Sequence, residues 1–480
     1  MHTQESCYTN KILVSTLNPK GNPIRSQRNS SSTQPKTHKI PGTIKLLQWY
    51  FLTGYYTLLF PFKFTKTIVD GQQYWKRTGW KLQKALSLLV WWPLAWVFYL
   101  TELIVRSTSF INSDAYNAKQ YFKLGCCILH TVFQFMFFWI VVGNSKKLEK
   151  FFNDVYNCSL LYTNDALPVS STNTSVLPKW KSRGLLIYMV FMHAIGLTLV
   201  LVNNLFFGAY LGKFVAPSEQ LLNAIKIGRQ RFFIDEISSE NLTSTLGLNS
   251  SGIYTTENVI IGVIELVIEF VRLWNNFFTG AFIYGALPLI FWTSAKGFQA
   301  FLLGVSSTYP MILNKALHSL QAELVVEKYE ELRSLLRSIN STWGSIVLVW
   351  VIEMTLTVVV RMNNAIESKN LIVVYFSSNI LFLVVSLVLM AEGHRSNFSF
   401  KQWLSKRYTR EKIFAQNRKE LEWLEKDLEV SSVSIGSPGV YEISYGFLGQ
   451  LLVFTVTVFL ISFDDSKNQV VNCRCDCKNI

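Results

Sequence analysis

The sequence predicts an all-α, polytopic membrane protein with seven transmembrane helices, the N-terminus cytoplasmic and the C-terminus extracellular. Three observations carry this. The 480 residues are 50% hydrophobic and only 16% charged, whereas soluble domains carry about a quarter charged residues. The apolar residues fall in blocks near 20 residues long, the length that crosses a hydrocarbon core of roughly 30 Å as a helix. The blocks do not alternate as barrel strands would, which leaves helices as the way to pair every backbone group in lipid.

Residues 1–42 are rich in Ser, Asn, Pro and Lys and lack the apolar core of a signal peptide. They read as a disordered cytoplasmic tail. Residues 43–84 follow as an interfacial helix and cytoplasmic linker. Thr43–Phe62 is moderately apolar and full of Tyr and Trp, which favour the membrane interface. A true span there is the rival count. The transmembrane domain then runs over 85–463. Its spans are Ala85–Val105, Leu124–Val142, Leu185–Tyr210, Phe277–Ala295, Trp343–Val360, Leu371–Met390 and Ser444–Phe463. Glu257–Trp274 has helical period but carries Glu265, Glu269 and Arg272. It reads as the projecting start of the fourth helix. Residues 464–480 form a short extracellular tail containing Cys473, Cys475 and Cys477.

Orientation follows from Lys and Arg beside the spans. Lys63, Lys66, Lys76, Arg77, Lys81 and Lys84 precede the first span. Lys146, Lys147 and Lys150 follow the second, and a long Lys- and Arg-rich segment follows the sixth. Only Arg361 and Lys369 follow the fifth. Rich and poor loops alternate, and the net charge of +15 belongs to this pattern rather than to nucleic-acid binding. The loop after the third span is then external. It holds the sequons at Asn241 and Asn249, the expected glycosylation sites. Sequons at Asn157 and Asn173 fall on the opposite side and rank below the charge pattern.

No P-loop, H-E-x-x-H or G-x-S-x-G is present, so an enzyme is not expected. No metal or cofactor is expected either, because the C-x-C-x-C tail lacks paired C-x₂-C spacing. Ionisable residues inside spans are functional candidates. Glu353 lies in the middle of the fifth span, and His130 and His193 lie inside the second and third. Each histidine admits two readings, an interhelical hydrogen bond or a ligand contact. Trp96 and Tyr284 are aromatic candidates for a ligand wall, and an aromatic belt explains them equally.

Residues 323–344 read ELVVEKYEELRSLLRSINSTWG, a polar amphipathic helix entering an apolar span. The pattern Tyr329-x-x-Leu332…Ile339-Asn340-x-x-Trp343-Gly344 resembles the entry to the fifth helix of invertebrate gustatory receptors. The segment KRYTREKIFAQNRKELEWLEKDLEV before the seventh span fits the same family, as does the inverted seven-helix order. That family closes its last helix with Thr-Tyr, five residues, then Gln-Phe. Here Thr455 and Phe463 match, while Val456 stands for Tyr and Ser462 for Gln. The chain thus resembles a divergent member.

The resemblance implies a tetrameric, ligand-gated, non-selective cation channel in the plasma membrane of sensory cells. It would be a homotetramer or a heteromer with related subunits, opened by a small extracellular ligand. The seventh helices would line the pore, with a gate at Phe463 and Ser462 above Phe459 and Thr455. The ligand pocket would lie in each subunit's outer half, where Trp96, His130, His193, Tyr284 and Glu353 are the candidates. Ser444, Leu448, Thr455, Phe459 and Ser462 fall near one helical stripe, which suits a pore lining or plain helix packing. A family member without channel activity, sensing light or peroxide, is the alternative. A G-protein-coupled receptor is opposed by the charge pattern and by the lack of D-R-Y and N-P-x-x-Y. A transporter would show repeats with broken helices.

Overall fold

Long helices carry nearly all of the chain that the computed structural model describes. Those residues are 42–69, 72–111, 118–160, 256–308, 315–368, 372–410 and 440–476, with short pieces at 187, 207–208, 213–214, 221–222, 224–225, 228, 426 and 434–437. In order they form α1 (Gly42–Tyr56), a hairpin of β1 (Lys63–Val69) and β2 (Gln72–Thr78), then α2 (Lys81–Leu86), a π-helical turn (Ser87–Trp91) and α3 (Trp92–Ile111). Next come α4 (Ala118–Val142), α5 (Ser145–Leu160) and the two-residue strands β3 (Phe207–Gly208) and β4 (Lys213–Phe214). Then follow α6 (Thr256–Gly280), a second π-helical turn (Ala281–Ala286) and α7 (Leu287–Thr308). The chain continues through α8 (Lys315–Ser368), α9 (Ile372–Arg410), β5 (Gly436–Ser437), β6 (Tyr441–Glu442) and α10 (Tyr445–Asp476).

Among the described residues three helical stretches are long and apolar enough to cross a membrane: Lys81–Thr108, Tyr121–Val142 and Val326–Val360. They contain the first, second and fifth predicted spans. The fourth predicted span lies in the unbroken run from α6 to α7, and its charged approach is part of that run. The sixth and seventh fall on α9 and α10.

Each π turn leads into a proline. Pro93 and Pro288 have no N–H to give the carbonyl four residues back, so each helix widens locally. Pro288 frees the carbonyl of Tyr284. The Ser386 hydroxyl of α9 donates to it at 2.5 Å. A neighbouring hydroxyl thereby repairs the ladder that proline breaks, as an apolar surrounding requires.

The described residues bear on three expectations. Helix α1 has 15 residues, about 22 Å at 1.5 Å per residue, too short to cross. Ile44, Leu47, Tyr50 and Phe51 are instead buried against the chain itself, and the Tyr50 hydroxyl donates to the carbonyl of Phe278 at 2.6 Å. Second, the third span was expected through Tyr210, yet Phe207 and Gly208 pair as strand with Phe214 and Lys213. Gly208 costs a helix about 1 kcal/mol, which favours the strand pairing seen here. The rest of that span, except Ile187, lies outside the described residues, as do His193, Asn241 and Asn249. Third, α10 continues beyond Phe463 to Asp476, so Cys473 and Cys475 sit on a helix.

The linker before α2 is an ordered platform. Alternation in KFTKTIV and QQYWKRT around Asp70-Gly71 carries the hairpin signal. Strand β2 is an edge, and α5 covers it. Asn153 acts as a substitute strand: its Oδ1 accepts from the Trp75 N–H at 2.7 Å, and its Nδ2 donates to the Trp75 carbonyl at 2.9 Å. Arg77 pairs with Glu149 at 2.8 Å, and the Trp75 and Phe64 rings pack on Phe152. An aromatic core then joins this platform to the helices: the Trp343 ring lies 4.5 Å from Phe282, 6.0 Å from Phe137 and 5.9 Å from Phe151.

Asn153→Ala leaves both backbone groups of Trp75 unpaired, which costs about 1–3 kcal/mol. The expected outcome is a lower melting temperature of the detergent-purified protein and faster tryptic cutting in the hairpin. Equal melting and equal cutting would remove Asn153 from this role.

Candidate functional site

A polar network crosses the apolar bundle where α3, α4, α6 and α8 meet. Residues one helical turn apart share faces: His130 with Gln134 on α4, and Asn275 and Asn276 each with Thr279 on α6. Asn276 Oδ1 is the hub. It accepts from the Tyr99 hydroxyl at 2.8 Å, from His130 Nε2 at 3.0 Å and from Gln134 Nε2 at 2.9 Å. Gln134 Nε2 also reaches Thr279 Oγ1 at 3.1 Å. Asn275 Nδ2 donates to the Tyr99 hydroxyl at 3.3 Å and to Gln134 Oε1 at 3.4 Å. His130 Nδ1 faces Glu353 Oε1 at 2.6 Å.

These partners fix the proton count. A carbonyl oxygen only accepts, so His130 Nε2 carries a hydrogen. The short Nδ1–Oε1 contact needs a second hydrogen between two otherwise repelling lone pairs. The pair is therefore imidazolium with carboxylate, or neutral imidazole with carboxylic acid. Both forms are neutral overall, which is how an apolar surrounding holds two ionisable groups.

Two of the five predicted ligand-side residues meet here, and Trp96 borders them through Tyr99. His130 and Glu353 are bonded to each other. Trp96 lies 6.1 Å from the Tyr99 ring and 5.4 Å from Phe135, and Tyr99 packs 5.6 Å from the His130 ring. Tyr284 stacks on Trp350 at 4.9 Å, and its hydroxyl lies 4.0 Å from Met354 Sδ, beside Glu353 in sequence. Sequence reasoning missed Tyr99, Gln134, Asn275, Asn276 and Thr279. The adjacent amides of Asn275 and Asn276 between apolar segments were the available signal.

The second element is the seat of α10. Asn340 Nδ2 donates to the Ser434 carbonyl at 2.9 Å, and its Oδ1 accepts from the Gly436 N–H at 3.0 Å. The Tyr441 hydroxyl donates to the Gly344 carbonyl at 2.5 Å. A side chain at Gly436 would meet the Tyr441 carbonyl at 2.1 Å, so glycine is required for this approach. Thus Asn340 and Gly344, singled out by pattern, fasten the segment before α10 to α8, while Trp343 fills the core. Beside this seat, beyond the sixth predicted span, Glu392 accepts from the Tyr445 hydroxyl at 2.6 Å and pairs with Lys296 at 3.2 Å and Arg395 at 3.6 Å. The hydrogen bond from Tyr445, with the two cations, holds its carboxyl below the usual glutamate value against the opposing effect of burial.

The predicted pore stripe on α10 is the half-buried one. Ser444, Leu448, Thr455 and Phe459 turn toward the chain's own helices, and the Thr455 hydroxyl is spent on the Leu451 carbonyl at 2.6 Å. Leu452, Val453, Val456, Leu460 and Ile461 are the exposed face. Ser462 and Phe463 lie on the same helix. By period Ser462 continues the Thr455 stripe, and Phe463 continues that of Val456 and Leu460.

A carboxyl held below its ordinary value of 4.5 stabilises the fold fully above that pH and loses the contribution as pH falls through its folded value. Tyr445→Phe removes the largest cause. Glu392 keeps about a quarter of its side chain exposed, so solvent still screens the contact and the loss is about 1 kcal/mol or less. The melting temperature should drop slightly at pH 7 and converge with the unaltered protein's near pH 4. A gap that persists undiminished in acid would point to packing instead.

No family model and no curated protein matches the chain. Among solved structures it is similar to the insect olfactory receptor OR5 from Machilis hrabei, with a TM-score of 0.54 at 12% identity, over 87% of this chain and 98% of that one. The same receptor in complex with eugenol matches with a TM-score of 0.53 at 13% identity, over 88% and 99%. Nearly the whole of that receptor is thus matched at very low identity, and the likeness establishes a common fold.

Proposed function

We propose that the chain is a gustatory-receptor-like chemosensory receptor, a ligand-gated non-selective cation channel of the plasma membrane. The observation that carries this reading is the fold, which matches an insect olfactory receptor over 98% of that receptor's length. That receptor is also known bound to a small molecule, eugenol, and a small extracellular ligand is proposed here too. The pattern at Tyr329, Asn340, Trp343 and Gly344 favours the gustatory branch.

Four subunits, identical or related, are placed around one pore, each with seven spans and a cytoplasmic N-terminus. The pore is assigned to the exposed face of α10, through Val453, Val456, Leu460 and Phe463. An apolar ring of this kind closes by dewetting. Thr455, Phe459 and Ser462 are assigned to the contact between α10 and its own bundle, where they transmit movement to the gate. Asp464 and Asp465 follow Phe463 directly, and rings of these carboxylates favour cations. The polar network around His130 and Glu353 is the ligand side. A ligand that binds better to the open arrangement shifts the equilibrium toward it. The glycans are assigned to Asn241 and Asn249.

Voltage clamp of cells expressing this chain, tagged at both termini, tests the reading with sugars, bitter compounds and hydrogen peroxide. The expected result is a ligand-evoked cation current altered by Phe463→Ala and by Leu460→Ala, with only the C-terminal tag reachable from outside. An external N-terminus would overturn the family reading. A correct topology with no current in any subunit combination favours the non-channel sensor.

A further inference from the structure

Helix α1 buries one face against the chain and shows the other to the outside. Trp49 is 61% exposed and Tyr56 65%. Lys45 is exposed on the same side, since the three are spaced by four and seven. Neither bulk water nor hydrocarbon suits this mixture. The aromatic rings gain by leaving water, and the ammonium loses by entering hydrocarbon. The headgroup zone of a bilayer accepts both.

The end of α1 is fastened to the start of the first membrane-crossing stretch. The Trp80 N–H donates to the Tyr55 hydroxyl at 3.0 Å, and Gln83 Nε2 donates to the Tyr55 carbonyl at 2.5 Å. Trp80 and Leu82 are 75% and 68% exposed there, with Lys81 and Lys84 exposed beside them. Leu89 is exposed too and sits among the apolar residues of the crossing stretch. Seven residues of helix put Leu82 about 10 Å nearer the end of that stretch, so Trp80–Lys84 lies at the hydrocarbon edge. Lys63 Nζ joins the group, 5.5 Å from the Tyr55 ring and 5.8 Å from the Tyr56 ring. Asp70 is the one acidic residue in 42–101. No carboxylate among the described residues pairs with Lys45, Lys63, Lys81 or Lys84.

We propose that this face docks on anionic phospholipids of the leaflet on its own side. Their phosphates sit at Lys45, Lys63, Lys81 and Lys84, and their upper acyl carbons lie against Trp49, Trp80 and Leu82. Charge chooses the lipid: a zwitterionic headgroup answers its own phosphate with its own ammonium, whereas an anionic headgroup leaves net charge for the lysines. Continuity with the exposed apolar side of the first crossing stretch chooses a bilayer over a protein partner. The assignment rests on the membrane-spanning fold and not on channel activity.

The test places the full chain in phosphatidylcholine nanodiscs. A minor fraction of one lipid carries bromine in the upper acyl chain, either phosphatidylserine or phosphatidylcholine, and bromine quenches the fluorescence of tryptophans it touches. Brominated phosphatidylserine should quench more than brominated phosphatidylcholine at equal fraction, and the surplus should shrink in high salt. The double variant Trp49→Phe, Trp80→Phe should lose most of that surplus, because those two rings report from this face. Lys63→Gln should raise the phosphatidylserine fraction needed for half the surplus by about fivefold. Changing Lys45, Lys63, Lys81 and Lys84 together to Gln should abolish it. Melting temperature in phosphatidylcholine alone checks that each variant is folded; if the fourfold variant is not, Lys63→Gln and the tryptophan pair decide. Equal quenching by the two lipids would overturn the anionic preference. A surplus that survives both the tryptophan pair and the lysine changes would put the bound lipid elsewhere and overturn the site. Total quenching by both lipids that stays the same without Trp49 and Trp80 would mean that protein covers this face, a second copy of the chain being tested by particle mass. No current enters the readout, so a silent channel overturns the channel reading and leaves this one standing.

Discussion

Helix α8 is continuous for 54 residues, about 80 Å at 1.5 Å per residue, and one rod must therefore serve two solvents. Its first half is polar and amphipathic, and its second half is apolar through Trp343–Val360 except for Glu353. Because the rod does not break, everything fastened to it is held in register across that change. At its polar half it carries α5 and the segment leading to α10. At its apolar half it carries α4 and the network around Glu353. The aromatic cluster on Trp343 lies at the crossover and fixes α4, α5 and the α6–α7 run to the same point, with α1 joined through Tyr50 on Phe282.

Polar groups in the apolar half obey one rule, which is that each must find a partner within the protein. The carbonyl freed by Pro288 finds Ser386. His130 finds Glu353 on one side and Asn276 on the other. These bonds join different helices, so relative movement of the helices must break or exchange them. On the reading proposed above, binding at this network would be coupled to helix movement. The contrast between an exchangeable polar centre and a close-packed base suits a molecule that must hold its shape and still switch.

Much of this was legible in the sequence. Block length and low charge content located the helices, since both follow from the solvent and not from partners. The charged approach at Glu265, Glu269 and Arg272 was rightly read as continuous with the fourth span, because its helical period never lapses. Glu353 and His130 were marked by being ionisable where ionisation is costly, but nothing in sequence says that they touch, 223 positions apart. The amides of Asn275 and Asn276 escaped notice because amides carry no charge. The hairpin was missed because lysines, read for orientation, masked the alternation around Phe64 and Trp75. The stripe on α10 follows from period, which shows which residues share a face, and only the packing of α8 and α9 shows which face this chain itself covers.

The seat of α10 also has a consequence in time. Asn340 is made well before its partners: the Ser434 carbonyl is 94 positions later, and the Gly436 N–H 96. At ribosomal speeds of about 5–20 residues per second, Asn340 waits roughly 5–20 s for them. Throughout that interval the amide is unpaired and α10 does not yet exist. The last helix is therefore also the last to be fastened, onto a bundle already built. A chain cut short before residue 434 leaves the ribosome with its latch open, a defect that cellular quality control can detect in a protein whose other helices are complete.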